Sequence, residues 1–172
     1  MSDYRRLYIP GGTYFFTLVT YRRQPIFADA HHIFLLRQAF REVKNKRPFA
    51  LLAIVILPDH LHCLWRLPID DADFSTRWQM IKTAFSRRVP SSPNKNGAKR
   101  IWQPRFFEHG IRDEHDFKKH LDYIHYNPVK HGFAARPSAW PYSSFRRFVA
   151  VGWYVDDWGD IVPADMDDAI YE

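Results

Sequence analysis

The 172-residue chain is 46% apolar and 17% aromatic, the make-up of one globular domain large enough for a full core. Its longest apolar run, Phe49 to Pro58, is far too short to span a bilayer, a single cysteine (Cys63) excludes an internal disulfide framework, and Met1 to Arg6 shows no signal-peptide pattern, so a reducing cytoplasm is expected. The net charge of +6 divides into a body, residues 1–150, with 25 bases against 12 acids, and an acidic tail, residues 151–172, with seven acids and no Lys or Arg; the body's +13 suits a polyanionic partner.

In chain order, Gly11-Gly12 opens a β-rich run, Thr13 to Tyr21, that predicts a first strand. Asp29 caps a predicted helix to about Lys46, with Ile33, Phe34, Leu36, Phe40 and Val43 at helical spacing. Residues 50–57 read as a buried strand, Pro58-Asp59 as a tight turn, and His60 to Leu67 as the strand returning beside it. Asp73 or Ser75 starts a second helix to about Val89, whose face with Lys82, Arg87 and Arg88 is basic. Pro90 to Arg100 is a polar, basic loop. A strand from Ile101 to Phe107 follows, then a helix from Asp113 to Asn127, and Pro137 to Phe148 mixes turns with aromatics. The order β-α-β-β-α-β-α predicts an α+β domain, a ferredoxin-like, split-βαβ antiparallel sheet with helices on one face.

Two segments carry residues with catalytic chemistry. On a strand, His60, His62 and Leu64 face one way and Leu61, Cys63 and Trp65 the other. The second set is apolar and suits the helix-covered side, which leaves both imidazoles on the open face, where a divalent metal could reach them. On spacing alone, two surface histidines remain the alternative. On the helix from Asp113, Phe117, Leu121 and Ile124 form the core stripe, while Asp116, His120, Tyr123 and Asn127 form a second stripe roughly 100° away. Tyr126 points away from both. A tyrosine attacking phosphorus needs help in losing a proton from a pKa near ~10 and a cation to offset charge, and His120 and Asp116 could tune that proton. An ordinary helix-surface phenol is the competing reading for Tyr123. Asn127 precedes Pro128, which biases it away from helical dihedrals.

Three motifs in order, Pro58-Asp59-His60-Leu61-His62, Trp102 to His109 and Asp122 to Gly132, resemble the signatures of REP-associated tyrosine transposases, members of the HUH single-tyrosine nuclease superfamily. Tyr4-Arg5-Arg6, Gly11-Gly12-Thr13 and Trp140-Pro141 also fit, so the resemblance covers nearly the whole chain. It implies that His60 and His62 are metal ligands, that Tyr123 is the nucleophile and that Asn127 takes the place of a third ligand, often glutamine in the wider superfamily. The implied metal is Mg2+ or Mn2+. The implied substrate is a single-stranded DNA hairpin from a repetitive extragenic palindrome (REP), cut through a 5′-phosphotyrosine by a cytoplasmic, nucleoid-associated bacterial protein. Wider relatives are dimers that exchange the tyrosine helix, whereas members of this subfamily can work as monomers, so a monomer is expected with a dimer as the alternative.

For the DNA, the residues themselves suggest Arg5 and Arg6 at the flank of the hairpin. Lys82, Arg87, Arg88, Lys95, Lys99 and Arg100 form a basic edge for phosphates. Trp102, Arg105 and Phe106 could clamp a base, with core strand residues as the other reading of Trp102 and Phe106. A catalytically idle hairpin-binding protein and a metal phosphohydrolase using water are the competing functions. The acidic tail could lie over the DNA groove, and its aromatics Trp153, Tyr154 and Trp158 suggest that part of it docks.

Overall fold

The computed structural model describes residues 6–90 and 100–163. Four strands, β1 (Thr13–Val19), β2 (Ala50–Ile56), β3 (His60–Arg66) and β4 (Phe107–Gly110), form one sheet in the order β2-β3-β1-β4. Every neighbouring pair is antiparallel. β1 and β2 therefore run parallel on either side of β3, joined by helix α1 (Ala30–Lys46), which is the expected split-βαβ arrangement. The free edge of β2 is covered by the segment before helix α4 (Phe145–Ala150): Ile56 N donates to Tyr142 O and Ser144 N to Ile54 O, at 2.9 and 2.8 Å.

Each long helix starts at an aspartate. Asp29, Asp73 and Asp113 accept from the backbone N–H of His31, Thr76 and Asp116, starting α1, α2 (Phe74–Arg88) and α3 (Glu114–Lys130). Of the two expected starts for α2, Asp73 is the one used. Strand alternation then sorts the core. Tyr14, Phe16, Leu18, Leu61, Cys63 and Trp65 face α1 and α2, where Trp65 stacks on Trp78 at 4.2 Å. Burying side chains of this size contributes on the order of 2 kcal/mol each.

The expected one-sided helix layer describes α1 and α2 alone. The opposite face is not open: α3 and α4 lie across it, and Phe15, Val55 and Leu64 pack against Leu121, Ile124 and Phe145. The apolar stripe of α3 needs a partner, and the Phe15 side of the sheet is the apolar surface left to it. Tyr154 joins this layer and donates to Asp122 Oδ1 at 2.5 Å, and Trp153 meets Phe117 edge-on, so the start of the tail docks on α3. The acids Asp165, Asp167, Asp168 and Glu172 lie outside the described residues.

Two element boundaries differ from expectation. The last strand spans Phe107–Gly110 rather than 101–107. Residues 101–103 still run beside the end of β1, with Gln103 N donating to Val19 O and one bridge from Trp102 to Thr20. Pro104 has no N–H to continue that ladder, and pairing resumes only at Phe107. Helix α3 does not stop at Asn127 but passes through Pro128 to Lys130. Proline leaves the Ile124 carbonyl without its helical donor, yet the end is secured: His131 N donates to Asn127 O, Phe133 N and Ala134 N to Pro128 O, and Gly132 turns the chain at φ 73°.

Candidate active site

The site forms where β3, β1 and α3 meet. His60 and His62 leave β3 on the α3 side with ring centroids 5.0 Å apart. Both are buried, contrary to the open face expected for them. His60 Nδ1 lies 2.6 Å from Asp59 Oδ1; since a carboxylate only accepts, Nδ1 carries the proton and Nε2 the lone pair. His62 Nδ1 lies 2.7 Å from Thr17 Oγ1, its direct cross-strand neighbour. Nε2 of both rings, and both amide atoms of Asn127, are buried without a hydrogen-bond partner among the described residues. Leaving such atoms unpaired costs about 1–3 kcal/mol each. Two imidazoles anchored at Nδ1 by a carboxylate and a hydroxyl, with an amide as third donor, are a donor set that fits a divalent cation.

The charges agree with ligand chemistry. Burial, with smaller contributions from His60, His131, Lys130 and Arg23, pushes His62 well below the usual imidazole range and keeps it neutral. Burial alone would raise the Asp59 carboxyl, but His60 and Arg23 together hold it below its ordinary value. Arg23 Nη1 reaches Asp59 Oδ2 at 3.2 Å from a left-handed backbone, φ 51°, shared by Arg22 at 54°. Such residues are strained, at roughly 1–2 kcal/mol each.

Tyr123 is buried with its ring edge-on to His62, centroids 5.1 Å apart at 75°. Phe15 lies 5.5 Å from His62 and 6.0 Å from Tyr123. Lys130 Nζ donates to the Tyr123 oxygen at 3.3 Å. The whole stripe Asp116, His120, Tyr123, Asn127 is buried rather than solvated, and Tyr123 shares one apolar cluster with Leu121 and Ile124. Tyr126 is directed to Trp158.

His120 belongs to a neighbouring network. Its Nδ1 donates to Asp116 O at 2.7 Å, and its ring stacks on His109 at 4.6 Å and packs on Phe15 at 4.8 Å. Burial lowers it to about 4, against a raising effect of Asp116. Burial would raise the Asp116 carboxyl, but His109 and Arg112 outweigh it and hold it at about 2. Donor atoms of His109, Asp116 and His120 lie within 4.8 Å of one another. With His109, the Arg112 N–H and the Arg112 guanidinium all on Asp116 Oδ2, the cluster reads as an ion-paired network rather than a second metal centre.

The expected DNA-contacting residues are dispersed. Arg6 lies over the Phe106 ring at 4.3 Å, pairs with Glu108 at 3.4 Å and donates to Ser75. Lys82, Arg87 and Trp102 line an open groove of about 590 Å³, and the half-buried Lys82, lowered by burial and then by Arg6, donates to Gln103 O. Trp102 itself packs on Phe27 and Phe85, so its ring faces belong to the core, not to a base; its motif partner Phe106 is only partly buried. Arg88 is paired with Glu42 of α1 at 2.7 Å, away from the histidines. Arg100 donates to the Tyr21 hydroxyl, and Arg105 is exposed. Arg5, Lys95 and Lys99 lie outside the described residues.

Sequence reasoning gives no role to Asp59, Lys130 and His131, although they lie within the motifs, and none to Thr17 and Arg23; the His131 ring lies 5.0 Å from that of His60. Lys130 is within reach of that reasoning: the stripe continues at i+3 from Asn127, once the helix is allowed past its proline.

Comparison with known proteins adds to the geometry. The family model described as "Transposase IS200 like" matches residues 10–127. The REP-associated tyrosine transposase of Escherichia coli K12 is 48% identical over 163 residues, which cover 94% of this chain and 93% of that protein. A relative from Haemophilus influenzae is 45% identical, covering 92% and 94%. A solved structure of a REP-associated tyrosine transposase bound to a REP hairpin superposes with a TM-score of 0.85 at 46% identity, covering all of this chain and 98% of the other. Among the described residues no helix is long and apolar enough to cross a membrane.

Proposed function

Because the chain belongs to the IS200-like transposase family and, within it, to the REP-associated tyrosine transposases, we propose that this enzyme cuts and rejoins single-stranded DNA at REP hairpins with Tyr123 as nucleophile. A 5′-phosphotyrosine is the intermediate, and His60, His62 and Asn127 hold Mg2+ or Mn2+. The observation that carries the reading is the contact of the Tyr123 ring with His62, in a layer where three donor side chains have unpaired buried atoms.

When bound, the cation polarises a phosphoryl oxygen and offsets its charge. Asp59 and Thr17 fix the two imidazoles, and Phe15 holds His62 and Tyr123 against each other. The phenol loses its proton to solvent, its oxygen forms a bond to phosphorus, and the bond from phosphorus to the 3′-oxygen breaks, that oxygen taking a proton. The ester keeps the bond energy, so another 3′-hydroxyl can reverse the step. His120 acts through Phe15 as a positioning residue. Since α3 packs on its own sheet, one chain supplies every group, which supports a monomeric enzyme.

Labelled REP hairpin incubated with Mn2+ and denatured in SDS tests this. The expected result is a DNA-linked protein band that Tyr123→Phe abolishes. Cleavage surviving in that variant means that water attacks and the tyrosine reading fails; binding without any cut leaves a hairpin-binding protein.

A further inference from the structure

The Lys130 ammonium lies 3.3 Å from the Tyr123 oxygen and 4.9 Å from the centre of its ring. The two residues are seven apart, two helical turns, and so share a face of α3. Helical side chains lean toward the N-terminus, which carries the long Lys130 side chain back over Tyr123. Continuation of α3 through Pro128 is what makes this possible, because Lys130 is its last residue and His131 caps it.

An ammonium is strongly hydrated and, at the end of a helix, would ordinarily extend into water. Here it rests on the phenol that also meets His62 edge-on. We infer that Lys130 is a catalytic residue, placed to offset the negative charge that develops on the Tyr123 oxygen as its proton leaves and that passes to the non-bridging phosphoryl oxygens as the new bond forms. The inference rests on Tyr123 being the nucleophile. In the transfer the phenol gives its proton to solvent, the oxygen–phosphorus bond forms, the bond to the 3′-oxygen breaks and that oxygen takes up a proton, so the phosphodiester carries one negative charge before and after. Lys130 exchanges no proton; it supplies a fixed charge beside the reacting oxygen, where preorganised charge is most effective. The same charge faces the phosphotyrosine ester while it awaits a 3′-hydroxyl.

The test compares Lys130→Met, which keeps the aliphatic stem, with Lys130→Arg, which restores a cation. Single-turnover formation of the SDS-stable adduct is followed at saturating, labelled REP-hairpin oligonucleotide with Mn2+, and hairpin affinity is measured separately. Lys130→Met is expected to slow adduct formation about 100-fold while hairpin affinity changes less than about threefold, and Lys130→Arg to recover at least about tenfold of the rate. A rate within about threefold of the native protein in Lys130→Met overturns the inference. So does a loss that Lys130→Arg fails to restore, or one matched by lost hairpin binding. Tyr123→Phe, run in parallel, keeps the two questions apart: an adduct persisting there removes the nucleophile assignment itself, whatever Lys130 does.

Discussion

Thr17 and His62 face each other directly across β1 and β3, and the hydroxyl of one holds Nδ1 of the other at 2.7 Å. The contact fixes the orientation of the buried Nε2 of His62, the atom proposed to bind the metal. Removing such support typically weakens metal affinity by about 10–100-fold. Thr17→Val, which keeps the shape and the strand preference, is expected to lose Mn2+ affinity in that range by calorimetry while retaining its fold. Unchanged affinity would mean that Thr17 does not orient the ligand.

The parity of His60 and His62 on one strand face and the alignment of Tyr123 with Asn127 on one helix face are legible in the chain, because each depends only on local geometry. Thr17 is not, since its role depends on strand register. Lys130 and His131 are hidden by Pro128, whose local preference for ending a helix is overridden by the packing of α3 on the sheet. The final strand is displaced because Ile101 and Trp102 have strand propensity but precede a proline, whereas Glu108-His109-Gly110 pairs only because the edge of β1 needs hydrogen bonds. The burial of both imidazoles could not be read at all: it follows from α3 and α4 covering a face that alternation alone left open.

His125 gives a pH signature. It is fully buried, its Nε2 lies 2.9 Å from Ser144 Oγ, and burial, then Lys118 and Arg147, lowers it to about 3. A base with a depressed folded pKa is protonated first in the unfolded chain, so its stability contribution is full above about pH 6.5 and is lost progressively from there toward pH 3. Urea unfolding at pH 7 and pH 5 should show the native protein losing about 2 kcal/mol more than His125→Leu does over the same interval. Equal losses would contradict the buried neutral imidazole.

Phosphate contacts should divide by position. Arg100 and Arg105 are exposed, whereas Arg88 is held by Glu42. Neutralising a cation that contacts single-stranded DNA should flatten the dependence of log affinity on log salt by about 0.7. Arg100→Gln and Arg105→Gln are expected to do so, and Arg88→Gln to leave the slope unchanged. The reverse pattern would move the DNA path to the α1–α2 side.

A site completed within one chain cannot be rebuilt from two defective ones. Equimolar Tyr123→Phe and His62→Ala, mixed before hairpin and Mn2+ are added, should form no adduct above either alone. Restored activity would show that α3 is exchanged between chains.

The most direct measurement is on the covalent bond itself. After reaction with REP hairpin and Mn2+, nuclease and trypsin digestion leaves the peptide His120 to Lys130, which contains both Tyr123 and Tyr126. Fragmentation should place the residual nucleotide on Tyr123, the phenol against His62 and Lys130. A nucleotide on Tyr126, or on no tyrosine while the DNA is still cut, would contradict the account.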